Sequence, residues 1–313
     1  MTRELILSPA MKEIWTGLDP PKPDPLDIVK LALGKKKASD LPFSDWEILL
    51  AEIIVGNAFG VDRMDYLLRD SLHTGVAYGK FDHFRLIDTM RILSPPAHGD
   101  EKKSSLEPYI GVEAGGLQSA EALLLARYFM FSQVYFHPVR RIYDIHLKDF
   151  LAEWLSGGCY PNDVERFSAF TDAEITSAMR QAAKDNRVAG HVHAKRIIDR
   201  NHFRVLHEGT LSDILASGGA MKTKHIAAAA AKEFGADKIR FDSSLPKDSA
   251  IDFPVRERDG SIVSAHSKSQ VLKKIPAAAF EYIFVEKEIL PEVSEWYQKN
   301  KTMLMAKSME EES

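Results

Sequence analysis

Cysteine is almost absent from this sequence of 313 residues, with Cys159 as its single example. One thiol excludes an intrachain disulfide and is typical of proteins that work in a reducing cytoplasm. The N-terminus lacks a signal-peptide pattern, and no apolar run is long enough to span a bilayer. We therefore expect a cytoplasmic protein with no membrane partner.

The sequence also lacks a strong excess of either charge. It has 41 lysines and arginines against 45 aspartates and glutamates, a formal net charge of -4. This balance argues against broad nucleic-acid binding. Hydrophobic residues make up 45% of the chain and charged residues 27%, as expected for a globular protein with one large or two modest domains.

Histidine is missing from the N-terminal part of the chain, because His73 is the first of the 11 histidines. Imidazole is a common ligand for divalent transition metals. A metal site built by residues before His73 would therefore have to use other ligands.

Helix signals dominate residues 1–207. Ser44 and Glu47 form a capping-box pattern that opens an apolar helix ending near Gly56. Two further helices are predicted, from an N-cap at Asp82 to about Leu93 and from Ser119 to Val134, with Pro138 breaking or kinking the second. The loop that follows Ser94 is expected to be exposed. The sequence thus predicts a mainly α fold for this part.

The pattern changes over residues 208–313, for which we predict a small α+β module with antiparallel strands. The predicted elements are a helix at 221–234, strands at 238–242 and 280–285, a hairpin with an Asp-Gly turn at 253–263, a short helix at 269–275 and a last helix from about Pro291.

One helical segment between these signals combines a packing side with a polar side. The packing side contains Met64, Leu67, Leu68 and Ser71, and the polar stripe contains Asp62, Tyr66, Arg69 and His73. Most such stripes are only solvated. Two features favour a ligand here: the tyrosine on the stripe and the loop from Thr74 to Gly79, whose glycines suit it to closing over a ligand.

Arg127 lies in the middle of the apolar helix predicted at 119–134. A buried guanidinium needs an anionic partner, because an unpaired buried charge is costly. A salt bridge to Asp65 or Asp70 and the binding of an anionic ligand both satisfy this requirement, and the sequence leaves the choice open.

The segments 62–75, 78–82 and 85–87, continued by 127–130 and 134–137, resemble HD-superfamily phosphohydrolases. The closest resemblance is to the deoxynucleoside-triphosphate (dNTP) triphosphohydrolases and their bacterial relatives. The resemblance implies an HD-type helical core in which water activated by a divalent metal (Mn, Mg, Fe, Ni or Zn) releases triphosphate from a dNTP such as dGTP. It also implies a homo-oligomer.

The resemblance gives roles to matching residues only. Asp62 matches the last metal ligand, Arg63 a cation near the triphosphate, and Arg127 a phosphate-contacting arginine. Tyr66 and Asp70 match sugar-contacting positions. The remaining matches, near the sugar and base, are Tyr135 and His137.

The family's other metal ligands are a histidine and a His-Asp pair that precede the position of Asp62. No histidine precedes it here, so the chain is expected to be a fragment, part of a split gene or a natural form that has lost the metal. One aspartate cannot hold a catalytic metal tightly. The first hypothesis is therefore an HD-type phosphohydrolase whose isolated chain has little or no activity. The alternative is a non-catalytic nucleotide-binding or regulatory protein, or a subunit that pairs with the missing part.

A second histidine pair, His191 and His193, could suggest a metal site. The neighbouring Lys195, Arg196 and Arg200 favour a solvated basic helix instead, and no carboxylate cluster nearby in the sequence supports a site. The same cations, with Arg204, form a hypothetical site for a phosphate effector.

Overall fold

The computed structural model describes residues 1–94, 109–209, 219–245 and 251–310. It is 61% helical with two small sheets, so the mainly α prediction with an α+β part is confirmed. The described α-helices are α1 (Thr2–Ile6), α2 (Pro9–Gly17), α3 (Pro25–Lys37), α4 (Asp45–Val55), α5 (Val61–Thr74), α6 (His83–Thr89), α7 (Leu117–Met130), α8 (Pro138–Trp154), α9 (Val164–Ser168), α10 (Asp172–Lys184), α11 (His191–Ile198), α12 (Gly219–Phe234), α13 (Ala265–Lys268), α14 (Gln270–Lys274) and α15 (Leu290–Glu310). None of the helices in these ranges is long and apolar enough to cross a membrane.

Two sheets are formed by the described strands. The strands are β1 (Met90–Leu93), β2 (Tyr109–Glu113), β3 (Arg204–Glu208), β4 (Ile239–Ser244), β5 (Pro254–Arg256), β6 (Ile262–Ser264) and β7 (Phe280–Val285). The first sheet has the order β1-β2-β5-β6, with β2 and β5 parallel and the other pairs antiparallel. The second has the order β3-β7-β4 and is antiparallel throughout.

The chain divides into two compact units, each made of two segments. Unit 1 comprises Met1–Met130 and Asp248–Ala277, and unit 2 comprises Phe131–Lys247 and Ala278–Ser313. The domain boundary predicted between residues 207 and 208 stays a prediction. Both compact units contain chain from either side of that position.

Unit 1 packs helices α3 to α7 around a core that includes β2, an inner strand of the first sheet. Leu67, Leu86 and Val112 are fully buried there, one each on α5, α6 and β2. Helix α4 opens at the predicted capping box, in which the Ser44 and Glu47 side chains each accept the other's backbone N–H. Since α5 contacts both α4 and α7, its position is fixed from two sides.

Unit 2 has three hydrophobic clusters. Helices α12 and α15 pack on the second sheet through residues such as Ile226, Ile283 and Tyr297. A second cluster joins α8 to the same sheet, and a third joins α8 to α10 and α11 around the fully buried Phe150. Helix α8 therefore has one side against the sheet and another against two helices.

Several predicted boundaries shift in the structure. The helix predicted to reach Leu93 ends at Thr89, and Met90–Leu93 pairs with β2 instead. The helix predicted over 119–134 becomes a π-helical turn at Phe131–Tyr135. The hairpin predicted at 253–263 forms, but it joins the sheet of unit 1, because β5 pairs with β2. The loop expected after Ser94 falls on residues 95–108, outside the described ranges.

Gly190 permits the close approach of α11 to α8. It precedes α11 with φ of 80°, and a Cβ there would lie 2.5 Å from Cδ2 of the buried Phe150. A side chain at this position would thus meet both backbone strain and an aromatic ring that cannot move away.

We predict that Gly190→Ala lowers the free energy of unfolding by about 1–3 kcal/mol more than Gly157→Ala. Gly157 is a matched control, since its φ is 74° but a Cβ there would have no other atom within 4 Å. Chemical denaturation of both variants measures the difference. Equal losses would show that the Phe150 contact carries no cost.

A candidate ligand-binding face on helix α5

Helix α5 buries the predicted packing side, because Met64, Leu67 and Ser71 are its buried residues. The helix ends at Gly75, which adopts the left-handed conformation with φ of 73°. With that side against the core, the helical repeat turns the polar stripe away from it.

The charges of all four other residues predicted for this part of the site act on the Tyr66 phenol. Burial raises the pKa of the Tyr66 phenol, and the charges of Arg127 and Arg63 oppose the rise, whereas Asp62 and Asp70 add to it. Two carboxylates and two guanidiniums thus act on one half-buried hydroxyl. The structure brings these five side chains together, and their roles toward a ligand stay predictions.

Asp62 is half exposed and bonded locally, because its Oδ1 accepts the backbone N–H of Arg63 at 2.7 Å. It belongs to no group of three histidine, cysteine or acidic side chains that could share a cation within the described ranges. The residues around Asp62 that the structure describes therefore do not fit the divalent metal of the resembled family.

Arg63 has a structural role at the end of α4. Its guanidinium donates to the backbone carbonyl groups of Val55, at 3.2 Å, and Gly56. The last carbonyl groups of a helix have no partner within the helix, so a cation there stabilises the helix end. These bonds also hold the start of α5 against the end of α4.

Arg127 of α7 donates to the backbone carbonyl of Asn57 at 3.2 Å. Asn57 lies in the short connection between α4 and α5, so this bond holds α7 beside the N-terminal end of α5. The guanidinium is thereby placed near Tyr66, on whose pKa its charge acts.

The loop after α5 is held against the helix. Ser71 Oγ donates to the carbonyl of Val76 at 2.5 Å, and the Tyr78 ring lies 6.1 Å from that of Phe129 on α7. A Cβ on Gly79 would clash with the carbonyl oxygen of Leu67. The loop therefore lies folded on α5 in this structure.

Tyr135 and His137 belong to unit 2. Tyr135 ends the π-helical turn, where its ring contacts Phe131 and its carbonyl accepts a hydrogen bond from Arg140 at 2.7 Å. His137 is the N-cap of α8 and its Nδ1 accepts the Val139 N–H at 3.3 Å. Their roles near a sugar or base stay predictions.

The interpretation of His193 as part of a solvated basic helix without carboxylates is wrong. His193 is 9% exposed, and Asp149 and Glu153 of α8 lie 3.7 and 3.3 Å from its ring nitrogens. Sequence spacing could not show this, because the carboxylates are about 40 positions away and reach His193 only through the packing of α8 on α11.

Two of the four cations proposed as a phosphate-effector site in unit 2 contact other groups in the structure. Arg196 pairs with Glu286 at 2.9 Å and lies over the Phe203 ring. Arg204 contacts a ring nitrogen of His202 at 2.9 Å. Of the three arginines, Arg200 alone is exposed. A phosphate at Arg196 or Arg204 would have to displace these partners, and the effector site stays a prediction.

The sequence matches the model of a known protein family. Residues 81–299 match the model of a protein family described as the HD associated region, which is more than half of the sequence. The chain belongs to this family. The match also establishes a relationship with the HD superfamily.

Relatives with curated sequences match a shorter region. The chain is 42% identical over 95 residues to an uncharacterised protein of Methanocaldococcus jannaschii, and 36% identical over 98 residues to the uncharacterised protein YwfO of Bacillus subtilis. These matches cover 30% and 31% of this chain but only 19% and 20% of the relatives. The shared region thus spans about a fifth of each relative.

Two solved structures have a similar fold. A hypothetical protein from Aquifex aeolicus is 28% identical with a TM-score of 0.72, over 94% of this chain and 70% of that one. A phosphohydrolase from Bacteroides thetaiotaomicron is 20% identical with a TM-score of 0.59, over 90% and 71% of the two chains. At 20% identity, the similarity to the phosphohydrolase shows a shared fold alone.

We predict that Arg63→Met lowers the free energy of unfolding by about 1–3 kcal/mol, because two carbonyl groups at the end of α4 lose a charged donor. Arg69→Met is the matched control on the same helix. Arg69 pairs with Asp65, and both side chains are at least half exposed, so its loss should cost no more than about 0.5 kcal/mol. Thermal and urea unfolding of both variants would contradict this prediction if the two losses were equal.

Proposed function

We propose that this HD-associated chain is part or all of an HD-type phosphohydrolase. The enzyme would cleave a dNTP, with dGTP as the first candidate, to a nucleoside and triphosphate. The observation that carries the proposal is the placement of Arg127 of α7 beside the start of α5, where its charge and those of Asp62, Arg63 and Asp70 act on the Tyr66 phenol. The family relationship supports the hydrolase class, and the choice of substrate rests on the resemblance of the residues.

The chemistry of the cluster suits a nucleoside triphosphate. Guanidinium groups bind phosphate oxygens through charge-assisted hydrogen bonds, and the cluster contains those of Arg63 and Arg127. A carboxylate and a phenol can bond the hydroxyl of a sugar, and Asp70 and Tyr66 would supply them. We assign the phosphates to the arginines and the sugar to Tyr66 and Asp70.

Asp62 is the member of the cluster that we propose as a metal ligand, and by itself it is insufficient for a catalytic metal. The described residues add no second and third ligand around it. We therefore expect the chain to bind nucleotide while turning it over slowly or not at all.

A second candidate function is that the chain binds a nucleotide without cleaving it. Such a protein would regulate or complete a partner, either a second copy or a subunit that supplies the missing ligands. The poor fit of the surroundings of Asp62 to a metal favours this candidate.

Binding is tested by calorimetric titration of the full chain with dGTP in the presence of a chelator. We expect Arg127→Met to weaken dGTP binding at least about tenfold, since a charge-assisted hydrogen bond contributes about 1.5–3 kcal/mol. Arg187→Met should leave the affinity unchanged, because Arg187 lies in unit 2, where it pairs with Asp185 at 2.8 Å. Equal affinities of wild type and Arg127→Met, both folded by circular dichroism, would refute the assignment of the phosphates.

Turnover separates the two candidate functions. We expect little or no triphosphate release from dGTP by this chain with Mn²⁺ or Mg²⁺, and phosphate-sensitive chromatography of the products measures it. Robust release that is lost in Asp62→Asn would show that the chain alone completes the metal site and would overturn the expectation of a weak enzyme.

A further inference from the structure

Three potential metal ligands meet in unit 2, outside the α5 cluster. His146 and Asp149 are three positions apart on α8, so they share one face of that helix. His193 comes from α11, which packs against α8. Each of the three offers a ligand atom that lies within 4.8 Å of the other two.

Two buried ring nitrogens in this cluster have no hydrogen-bond partner. Nδ1 of His146 and Nδ1 of His193 are both inaccessible to solvent and unpaired, and the two residues are 0% and 9% exposed. A buried polar atom without a partner costs about 1–3 kcal/mol. The folded chain therefore carries two such costs side by side, and a cation bound by His193 Nδ1 would remove one of them.

A carboxylate orients the His193 ring from its other side. Glu153 Oε1 lies 3.3 Å from His193 Nε2, and Glu153 Oε2 accepts the backbone N–H of Gly190 at 2.9 Å. A proton on Nε2 that is donated to Glu153 leaves the lone pair of Nδ1 available. Metal-binding histidines usually donate their second ring N–H to a carboxylate in this way.

We propose that His146, Asp149 and His193 form a site for a divalent transition metal of the zinc type. The structure assigns as ligands the two unpaired Nδ1 atoms and a carboxylate oxygen of Asp149, with Glu153 as the outer carboxylate. Three protein ligands leave one tetrahedral position open. Imidazole donors suit Zn²⁺ rather than Mg²⁺, which prefers oxygen ligands and octahedral geometry.

Nδ1 of His146 can serve as a ligand only in one tautomer. In the present structure its Nε2 accepts the Phe203 N–H across a long contact of 3.4 Å, which places the proton on Nδ1. Metal coordination by Nδ1 requires this proton to move to Nε2, which breaks the hydrogen bond with the Phe203 N–H.

The charges around the proposed metal site lower its affinity for a cation but do not exclude one. Arg240 binds Asp149 Oδ2 at 3.1 Å, and Arg196 is paired with Glu286. Two cations thus stand against three carboxylates, those of Asp149, Glu153 and Glu286. The local formal charge is -1 with neutral histidines, so a divalent cation is not repelled outright.

Direct metal binding tests the site. The full chain is titrated with Zn²⁺ against a competing chelating dye, and with Mg²⁺ in parallel. We expect one equivalent of Zn²⁺ to bind and to raise the melting temperature, and Mg²⁺ to do neither. His193→Gln and Asp149→Asn should each weaken Zn²⁺ binding at least about 100-fold, and the outer-carboxylate variant Glu153→Gln about 10–100-fold.

Two controls separate this site from other zinc ligands of the chain. His191→Asn changes the neighbouring histidine on α11, and Cys159→Ser removes the exposed thiol. Both should bind Zn²⁺ as the wild type does. The absence of a one-equivalent site in the wild type, or a site that neither His193→Gln nor Asp149→Asn weakens while both remain folded, would overturn the proposal.

Discussion

The burial of one side of α5 is the constraint on which the candidate site depends. Leu67 is fully buried and Met64 and Ser71 nearly so, so the helix cannot rotate without exposing apolar surface. Its opposite side therefore presents Asp62 and Tyr66 in a fixed register. Hydrogen bonds from arginines to the backbone just before α5 hold its N-terminal end in place. The polar side is thus preorganised by the core and by backbone contacts.

The same arginines that hold the fold are the ones proposed to bind phosphates. Arg63 and Arg127 both donate to backbone carbonyl groups, which positions their guanidinium groups and reduces the entropy lost when a ligand binds. Arg63 donates to two backbone carbonyl groups and Arg127 to one, out of the five N–H donors of a guanidinium. On the proposed assignment, stability and ligand binding would be coupled at these two positions.

Local patterns were sufficient to predict much of the secondary structure. The capping box at Ser44, the strand Phe280–Val285 and the packing side of α5 were predicted from nearby residues alone, because each depends on short-range periodicity or a cap. The pairing of Met90–Leu93 with β2 and the transfer of the 253–263 hairpin to the first sheet depend on distant partners.

The difference between features set by nearby residues and features set by distant partners also applies to functional residues. The α5 cluster was accessible to sequence reasoning because four of its five members lie within nine positions. The contacts of His193 with Asp149 and Glu153 could not be predicted from the sequence. They depend on the close approach of α11 to α8 that Gly190 permits. An H-x-x-D pattern on one helix and a histidine on another are too common to pair without the fold.

The central claim is that the polar side of α5 is a nucleotide-binding surface. The most direct measurement is a crystal structure of the chain with a dNTP analogue that cannot be hydrolysed. The account predicts phosphate density at Arg63 and Arg127 and the sugar beside Tyr66. Nucleotide bound instead at the basic residues of α11, with the α5 side empty, would contradict it.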